Sequence, residues 1–303
     1  MAVTGGASGI GAALAEEAAA RHAAAVAVID LDADGARATA ERIAGRGVKA
    51  AAFACDIADI DEVERVATEV TDTLGVPGLV CANAGVNPDA TPLLDAEPGS
   101  LGWALSVNVV GTWATLRAFG RRMAAVEGQG RLLVTASEHA IGVPFAGNGI
   151  YTLSKHAVLG LSDVLRRELP EHVGISVVVP GLVATGLWNS GSLRPRESGG
   201  PTPSQDLAKA LLARGVEPAA VAALALDGVE AERFLVATHP HVERYADARA
   251  ADLAEAFAAL EAAGVPDTSY DVMEIARELM AQALPGGARN DDEKTGTGEA
   301  RHE

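Results

Sequence analysis

Short apolar runs alternate with longer amphipathic, alanine-rich stretches along most of this chain, and no other feature restricts its fold as strongly. The runs are residues 25–29, 48–54, 78–81, 131–135, 175–179 and 233–237, and between them lie stretches of helical length such as 34–46, 59–74 and 151–169. A brief apolar run bounded by turn residues is the pattern of a strand buried on both faces. Strand, helix and strand repeated in this way require right-handed crossovers and a parallel sheet covered by helices on both sides. The expected fold class is α/β, a doubly wound, mostly parallel sheet in three layers. With 303 residues, 49% of them apolar, the chain has ample material for such a core.

The period breaks after Thr185. Residues 189–204 are rich in Gly, Pro and Ser and read as an irregular, mobile loop. Helical stretches follow at 205–214 and 219–226, before the last strand. Two further helices are expected at 247–263, where Leu253, Phe257 and Leu260 recur at helical spacing, and at 271–283, with Val272, Ile275 and Leu279. Residues 286–303 lack the apolar content to offset the entropy of ordering and are expected to be disordered. The division expected is a main domain over 1–245 with a substrate loop at about 186–215, a helical extension over 246–285, and the tail.

A formal net charge of -17 repels nucleic acid and anionic membranes, which attract Lys/Arg surfaces, so neither is an expected partner. No apolar stretch is long enough to span a bilayer, and the N-terminus has no basic segment leading into an apolar one, which points to a soluble, cytoplasmic protein. Cys55 and Cys81 each end an apolar run at no metal-binding spacing and read as buried thiols of a reducing compartment.

The segment TGGASGIG, residues 4–11, has the composition of a loop that cradles a pyrophosphate. Gly5, Gly9 and Gly11 allow positive φ or close backbone approach, and Ser8 and Ile10 lead into a helix whose first N–H groups and positive dipole end attract an anion. The strand feeding such a loop lies at the centre of the sheet, and only Ala2, Val3 and Thr4 are there to form it. Each absent buried aliphatic forfeits about 1.5 to 3 kcal/mol, so the expectation is either further residues upstream of Met1 or a short strand and a less stable protein. The second strand ends in Asp30, at the distance where a carboxylate meets the adenosine ribose hydroxyls and repels a 2′-phosphate. Neither Ser8 nor Leu31 is basic, so NAD(H) is favoured over NADP(H) as cofactor.

Tyr151 and Lys155, in YTLSK, are four residues apart and share a helix face. An adjacent ammonium, together with a positive nicotinamide ring, favours the phenolate and is expected to lower the tyrosine pKa toward that of a usable base. Such pairs are common on solvated helices, and the order of the surrounding pieces is what singles this one out. TGGASGIG, Asp56 in CDI, Asn83, Ala84 and Gly85 in CANAG, Asn108 in SVNVVG, Ser137 in VTAS, YTLSK, and Pro180, Gly181 and Thr185 in PGLVAT follow one another from residue 1 to about 240. In these motifs, their order and their spacing the chain resembles the compact members of the short-chain dehydrogenase/reductase family, which have a Rossmann-like fold.

The resemblance implies a role for each position. Tyr151 is the general acid/base at the substrate oxygen, Ser137 orients that oxygen, and Lys155 lowers the tyrosine pKa and bonds the nicotinamide ribose. Asn108 holds a water that joins Lys155 to solvent. Asp56 and Ile57 contact the adenine, Asn83, Ala84 and Gly85 line the cofactor cleft, and Pro180, Gly181, Val183 and Thr185 pin the nicotinamide. The implied activity is hydride transfer between a nicotinamide dinucleotide and a secondary alcohol or ketone on a mainly hydrophobic small molecule. Two other classes stay open, a non-redox dehydratase or epimerase on the same scaffold and a non-catalytic NAD-binding module, though the four catalytic positions argue against the latter. The resemblance also implies pairing through helices at 99–125 and 151–169 into homodimers or homotetramers.

Thirteen residues separate Ser137 from Tyr151, one more than the family commonly has, and the extra residue is assigned to the loop at 139–149. Glu138 and His139 at the start of that loop read as solvated. His239 and His241 lack a third ligand and carry no expected metal site. In the substrate loop, Leu187 and Trp188 are expected to form an apolar wall, with Arg194 and Arg196 in solvent.

Overall fold

The computed structural model describes residues 1–88, 90–142, 145–202, 206–264 and 271–283. The apolar runs form a seven-stranded sheet of β1 (Ala2–Thr4), β2 (Ala25–Asp30), β3 (Lys49–Ala54), β4 (Leu79–Ala82), β5 (Gly130–Thr135), β6 (Val173–Val179) and β7 (Leu235–Ala237), in the order β3-β2-β1-β4-β5-β6-β7. Every pairing is parallel. This is the doubly wound, Rossmann-like architecture expected from the alternation.

Alternation along each strand sends neighbours to opposite faces. Ala2, Ala27, Val80, Leu132 and Val177 join the core on one side. Val3, Val28, Cys81, Leu133 and Val178 join the core on the other. The first face is covered by α3 (Ile60–Leu74), α5 (Thr112–Ala124) and α6 (Gly149–Glu168), which bring Val66, Phe119 and Val158. The second is covered by α1 (Gly9–Ala20), α2 (Ala33–Ala44) and α8 (Pro218–Glu230), which bring Leu14, Ile43 and Val221. Both cysteines are buried free thiols, and burial pushes each up to about 12.

β1 has three residues, all buried, and is paired on both sides, with Ala2 opposite both Ala27 and Val80. Its length is compensated at its C-terminal end by side chains. The Thr4 hydroxyl accepts the backbone N–H of Asn83 at 3.0 Å and of Ala84 at 3.2 Å. Asn83 Nδ2 donates to the Thr4 carbonyl at 3.1 Å, and its Oδ1 accepts from the Thr135 hydroxyl at 3.0 Å. One side chain therefore ties β1, β4 and β5 where the strand order reverses, the place at which open α/β sheets bind ligands.

The helix expected over 99–125 is interrupted. α4 (Pro98–Leu105) passes into a π-turn over Ser106–Gly111 before α5 begins. Up to residue 202 the stretch 189–204 is also more regular than its composition suggests, with 3-10 turns at Gly186–Leu193 and Arg196–Ser198, while α7 spans Asp206–Leu212. Its small polar side chains close the turns themselves, Ser190 donating to the Leu187 carbonyl and Ser192 to that of Asn189. Arg194 is 5% exposed rather than solvated, held by the Ser198 carbonyl at 2.6 Å and by Glu97 at 3.1 Å, whereas Arg196 is exposed.

Met1–Ala250 forms one compact unit, and the residues from Ala251 onward form a second. The helices expected near the C-terminus are α9 (Glu243–Ala262), which runs through that division, and α10 (Val272–Ala283). The tail at 286–303 lies outside the described residues. Among the described residues no helix is long and apolar enough to cross a membrane.

Thr4→Val keeps the shape of the side chain but strands the amides of Asn83 and Ala84. Chemical denaturation is expected to show a loss of about 2 to 4 kcal/mol, far more than an exposed Thr→Val change costs.

Candidate active site

A cleft of about 630 Å³ opens along the C-terminal ends of the strands. The glycine-rich turn lines one end. Gly5 and Gly9 adopt φ of 69° and 54°, values that L side chains rarely adopt. A Cβ on Gly11 would run into the Gly5 carbonyl, so Gly11 lets the helix close onto the turn without itself lining the cleft. α2 and α3 begin with aspartate caps, Asp32 and Asp59. α1 begins at Ser8 with no side-chain cap and no acid in its first turn, so its leading N–H groups are available to an external anion.

Asp30 lines the cleft beside this turn. Its Oδ2 accepts the Ala7 N–H at 2.9 Å and its Oδ1 the Asp32 N–H at 2.9 Å. Burial raises its pKa, and these two bonds hold it back. Each oxygen keeps a lone pair for a further donor such as a ribose hydroxyl. Lys155 is the one Lys or Arg among the described residues lining the cleft, so nothing basic stands at the Asp30 end to receive a 2′-phosphate.

At the other end, β5 and α6 bring Ser137, Tyr151 and Lys155 together, all three buried. Ser137 and Tyr151 both line this end, and the Tyr151 ring centroid lies 5.6 Å from Lys155 Nζ, which donates to the Thr135 carbonyl at 2.9 Å. The electrostatics differ from the expectation. From the chain's own groups, burial pushes the Tyr151 phenol up to about 12, Ser137 opposing this and Glu138 adding to it. Burial lowers Lys155 to about 8. Desolvation is the largest cause of both shifts, because each charged form loses hydration on burial.

Asn108 does not line the cleft. Its Oδ1 accepts the Val86 N–H at 2.8 Å, and its Nδ2 donates to the Val86 carbonyl at 2.8 Å and to Ser154 Oγ at 3.0 Å. The π-turn that carries it is a distortion frequent at functional positions. A Cβ on Gly85 would lie 3.1 Å from Asn108 Oδ1 and 3.5 Å from Lys155 Nζ, so Gly85 sits close to both. Ser8, Ile10, Asp56, Ile57, Asn83, Ala84, Pro180, Gly181, Val183, Thr185 and Leu187 all line the cleft as well. Trp188 does not, and its ring instead lies 4.9 Å from Lys209 Nζ of α7. The apolar wall is supplied by Trp103, Val107, Leu193 and Leu212 with Leu187.

Glu138 and His139 are not simply solvated. The Glu138 side chain is 15% exposed and meets His241 Nε2 at 2.9 Å. His139 Nδ1 pairs with Thr152 Oγ1 at 2.8 Å, its ring stands edge-on to Tyr151 at 5.3 Å, and burial lowers its pKa to about 4, so it is neutral at pH 7. No motif marks Trp103, and Val107 stands inside SVNVVG, where only Asn108 is singled out. Among the described residues no group of His, Cys, Asp and Glu could hold a metal ion.

The buried Lys155 charge costs the folded state stability. Its pKa is about 8 folded against 10.5 as the ordinary value, so the unfolded chain binds more protons between those limits and stability rises with pH across them. Below pH 8 the cost is fully present, roughly 3 kcal/mol. Lys155→Met loses about 1 kcal/mol with the Thr135 bond. The variant is therefore expected to be about 2 kcal/mol more stable than wild type at pH 7. That gain should fade toward pH 10.5, as checked by denaturation at several pH values.

Residues 1–194 match the model of the short chain dehydrogenase family. The chain is 37% identical over 202 residues to a 1-deoxy-11-beta-hydroxypentalenate dehydrogenase of Streptomyces exfoliatus, covering 66% of this chain and 72% of that protein. It is 36% identical over 198 residues to a D-threitol dehydrogenase of Mycolicibacterium smegmatis, covering 64% and 74%. A match to the probable oxidoreductase EphD of Mycobacterium tuberculosis, 36% over 188 residues and 62% of this chain, spans only 31% of that longer protein. Among solved structures, a short chain dehydrogenase/reductase from Burkholderia phymatum in complex with NAD superposes with a TM-score of 0.77 at 28% identity, over 83% of this chain and 93% of that one. By the matched residues, the fold and the cleft together, the chain belongs to the short-chain dehydrogenase/reductase family of oxidoreductases.

Proposed function

We propose that the protein is an NAD(H)-dependent oxidoreductase that interconverts a secondary alcohol and a ketone on a mainly hydrophobic small molecule, with Tyr151 as general acid/base. The observation that carries this reading is a single cleft with an uncapped helix start and Asp30 at one end, and Ser137, Tyr151 and Lys155 at the other. The names of the relatives, hydroxypentalenate, threitol and sorbitol dehydrogenases, support an alcohol as substrate. The apolar wall around Trp103, Val107 and Leu193 favours the hydrophobic end of that range.

When bound, the dinucleotide supplies the hydride donor or, oxidised, a positively charged hydride acceptor. The glycine-rich turn and α1 receive its pyrophosphate, Asp30 its adenosine ribose, and Asp56 and Ile57 its adenine. Pro180, Gly181, Val183 and Thr185 border the nicotinamide. Ser137 donates to the substrate oxygen and fixes it against Tyr151. A phenol at about 12 stays protonated through the neutral range, which suits donation to a ketone oxygen; in the alcohol direction it must first lose that proton to solvent and then, as phenolate, accept the hydroxyl proton. Lys155, still mostly protonated at pH 7, is the replenishing cation beside it. Asn108 holds Val86 in place with its amide group, and the water that joins Lys155 to solvent is assigned to it on the same reading. Pairing of copies through α5 and α6 belongs to the same reading, supported by the exposure of Trp113, Leu153 and Val164 on those helices.

Purified protein is expected to change absorbance at 340 nm with NAD(H) and some member of a panel of steroid, terpenoid, aliphatic and hydroxy-acid alcohols and ketones. Bound NADH with no turnover across the panel would remove the redox assignment. Tyr151→Phe is expected to lower kcat by at least about 100-fold while NADH affinity stays within about twofold. Asp30→Ser is expected to narrow the preference for NAD over NADP by about tenfold or more, since one adverse charge interaction of about 1.4 kcal/mol is a factor of ten.

A further inference from the structure

The turn that follows β6 is clamped from behind by a histidine far along the chain. His239 follows β7 and is 9% exposed. Its Nδ1 accepts the backbone N–H of Gly181 at 3.0 Å and lies 2.8 Å from the Thr238 hydroxyl. A backbone amide can only donate, so Nδ1 is the acceptor and the proton of the neutral ring sits on Nε2. That Nε2–H donates to the Leu182 carbonyl at 3.1 Å. One imidazole thus holds the N–H of Gly181 and the C=O of Leu182 at once, a task that requires an acceptor and a donor on a single rigid ring.

The same turn is held from the side of the cleft. The Glu138 N–H, next to Ser137, donates to the Pro180 carbonyl at 2.8 Å. The Glu138 carboxylate meets His241, whose ring stands edge-on to His239 at 5.7 Å. The packing is tight, since a Cβ on Gly181 would lie 2.8 Å from His239 Cγ and 2.8 Å from Glu138 Oε2. Gly181 itself lines the cleft, at the end occupied by Ser137 and Tyr151. The ends of β5, β6 and β7 are therefore linked through this one backbone turn.

We infer that His239 is a positioning residue for hydride transfer: through Gly181 and Leu182 it fixes the wall of the cleft against which the nicotinamide ring rests, and so the height of that ring over Ser137 and Tyr151. The inference rests on the dinucleotide reading above and adds to it a residue that touches neither cofactor nor substrate.

The test separates the two halves of the cofactor. Wild type, His239→Ala and His239→Asn are titrated with NADH and with ADP-ribose, which lacks the nicotinamide, and the emission of bound NADH is recorded. His239→Ala is expected to weaken NADH by about tenfold or more while ADP-ribose stays within about twofold, with bound NADH emitting closer to its free spectrum, because loss of position at one end does not reach the other. His239→Asn retains an acceptor for the Gly181 amide and is expected to recover at least half of the lost NADH discrimination on a logarithmic scale. A parallel loss of both ligands means a general structural role and overturns the inference, as does unchanged NADH affinity and emission in His239→Ala. If His239→Ala fails to fold by circular dichroism, His239→Phe, which fills the space but offers the Gly181 amide no acceptor, decides in its place: a selective loss for NADH supports the inference, and a parallel loss of both ligands or equality with wild type overturns it. Wild type that binds neither ligand overturns the dinucleotide reading itself.

Discussion

The fold and the site meet in the hydroxyl of Thr4. A parallel sheet whose strand order reverses must leave a gap beyond its central strands, because the connections on either side run off in opposite directions. Here the central strand is three residues long, and backbone pairing alone gives it little hold. The hydroxyl, accepting from Asn83 and Ala84, continues the ladder past the last strand residue, and Asn83 hands it on to Thr135. Thr135 in turn offers its carbonyl to Lys155. A chain of polar contacts thus runs from the first strand to Lys155, and each member also has a structural duty.

The end of the cleft lined by Ser137, Tyr151 and Lys155 is defined by burial. Tyr151 and Lys155 are both moved away from their charged forms, the phenol up to about 12 and the ammonium down to about 8. Burial reduces the hydration that would stabilise either charge, so a charge that enters the cleft acts on them at lower dielectric and at greater strength. His139, neutral and edge-on to the tyrosine ring, thickens that dry wall without adding a charge.

What is legible in the sequence is what short range determines. The alternation of apolar runs reports the sheet, since each strand alternates its own residues between the two cores. TGGASGIG reports its turn, since positive φ and close approach leave glycine as the residue of choice. Tyr151 and Lys155 are readable because a helix turns a spacing of four into adjacency. The contacts that escape are those made across the fold. Arg194 finds Glu97, Glu138 finds His241, and His239 finds Gly181 only once β5, β6 and β7 lie side by side. Arg194 and Glu138 look solvated in sequence because polar residues in loops usually are, and His239 shows there only as a histidine without a metal site. The order within 186–198 escapes for another reason: serine and asparagine close 3-10 turns as readily as they populate irregular loops.

The π-turn at Ser106–Gly111 also acts as a gearing element between two parts of one rod. A π-turn accommodates one residue more than the α-helix it interrupts, and each helical residue advances the screw by about 100°. α4 and α5 are therefore out of phase with one another. That offset lets Trp103 and Val107 border the cleft while Leu116, Phe119 and Met123 fill the core under the sheet. A continuous helix would have to choose between the two surfaces. The extra residue lets a single rod serve both the stability of the sheet and the shape of the cavity above it, so the number of residues in this segment is as much a determinant of the protein as their identity.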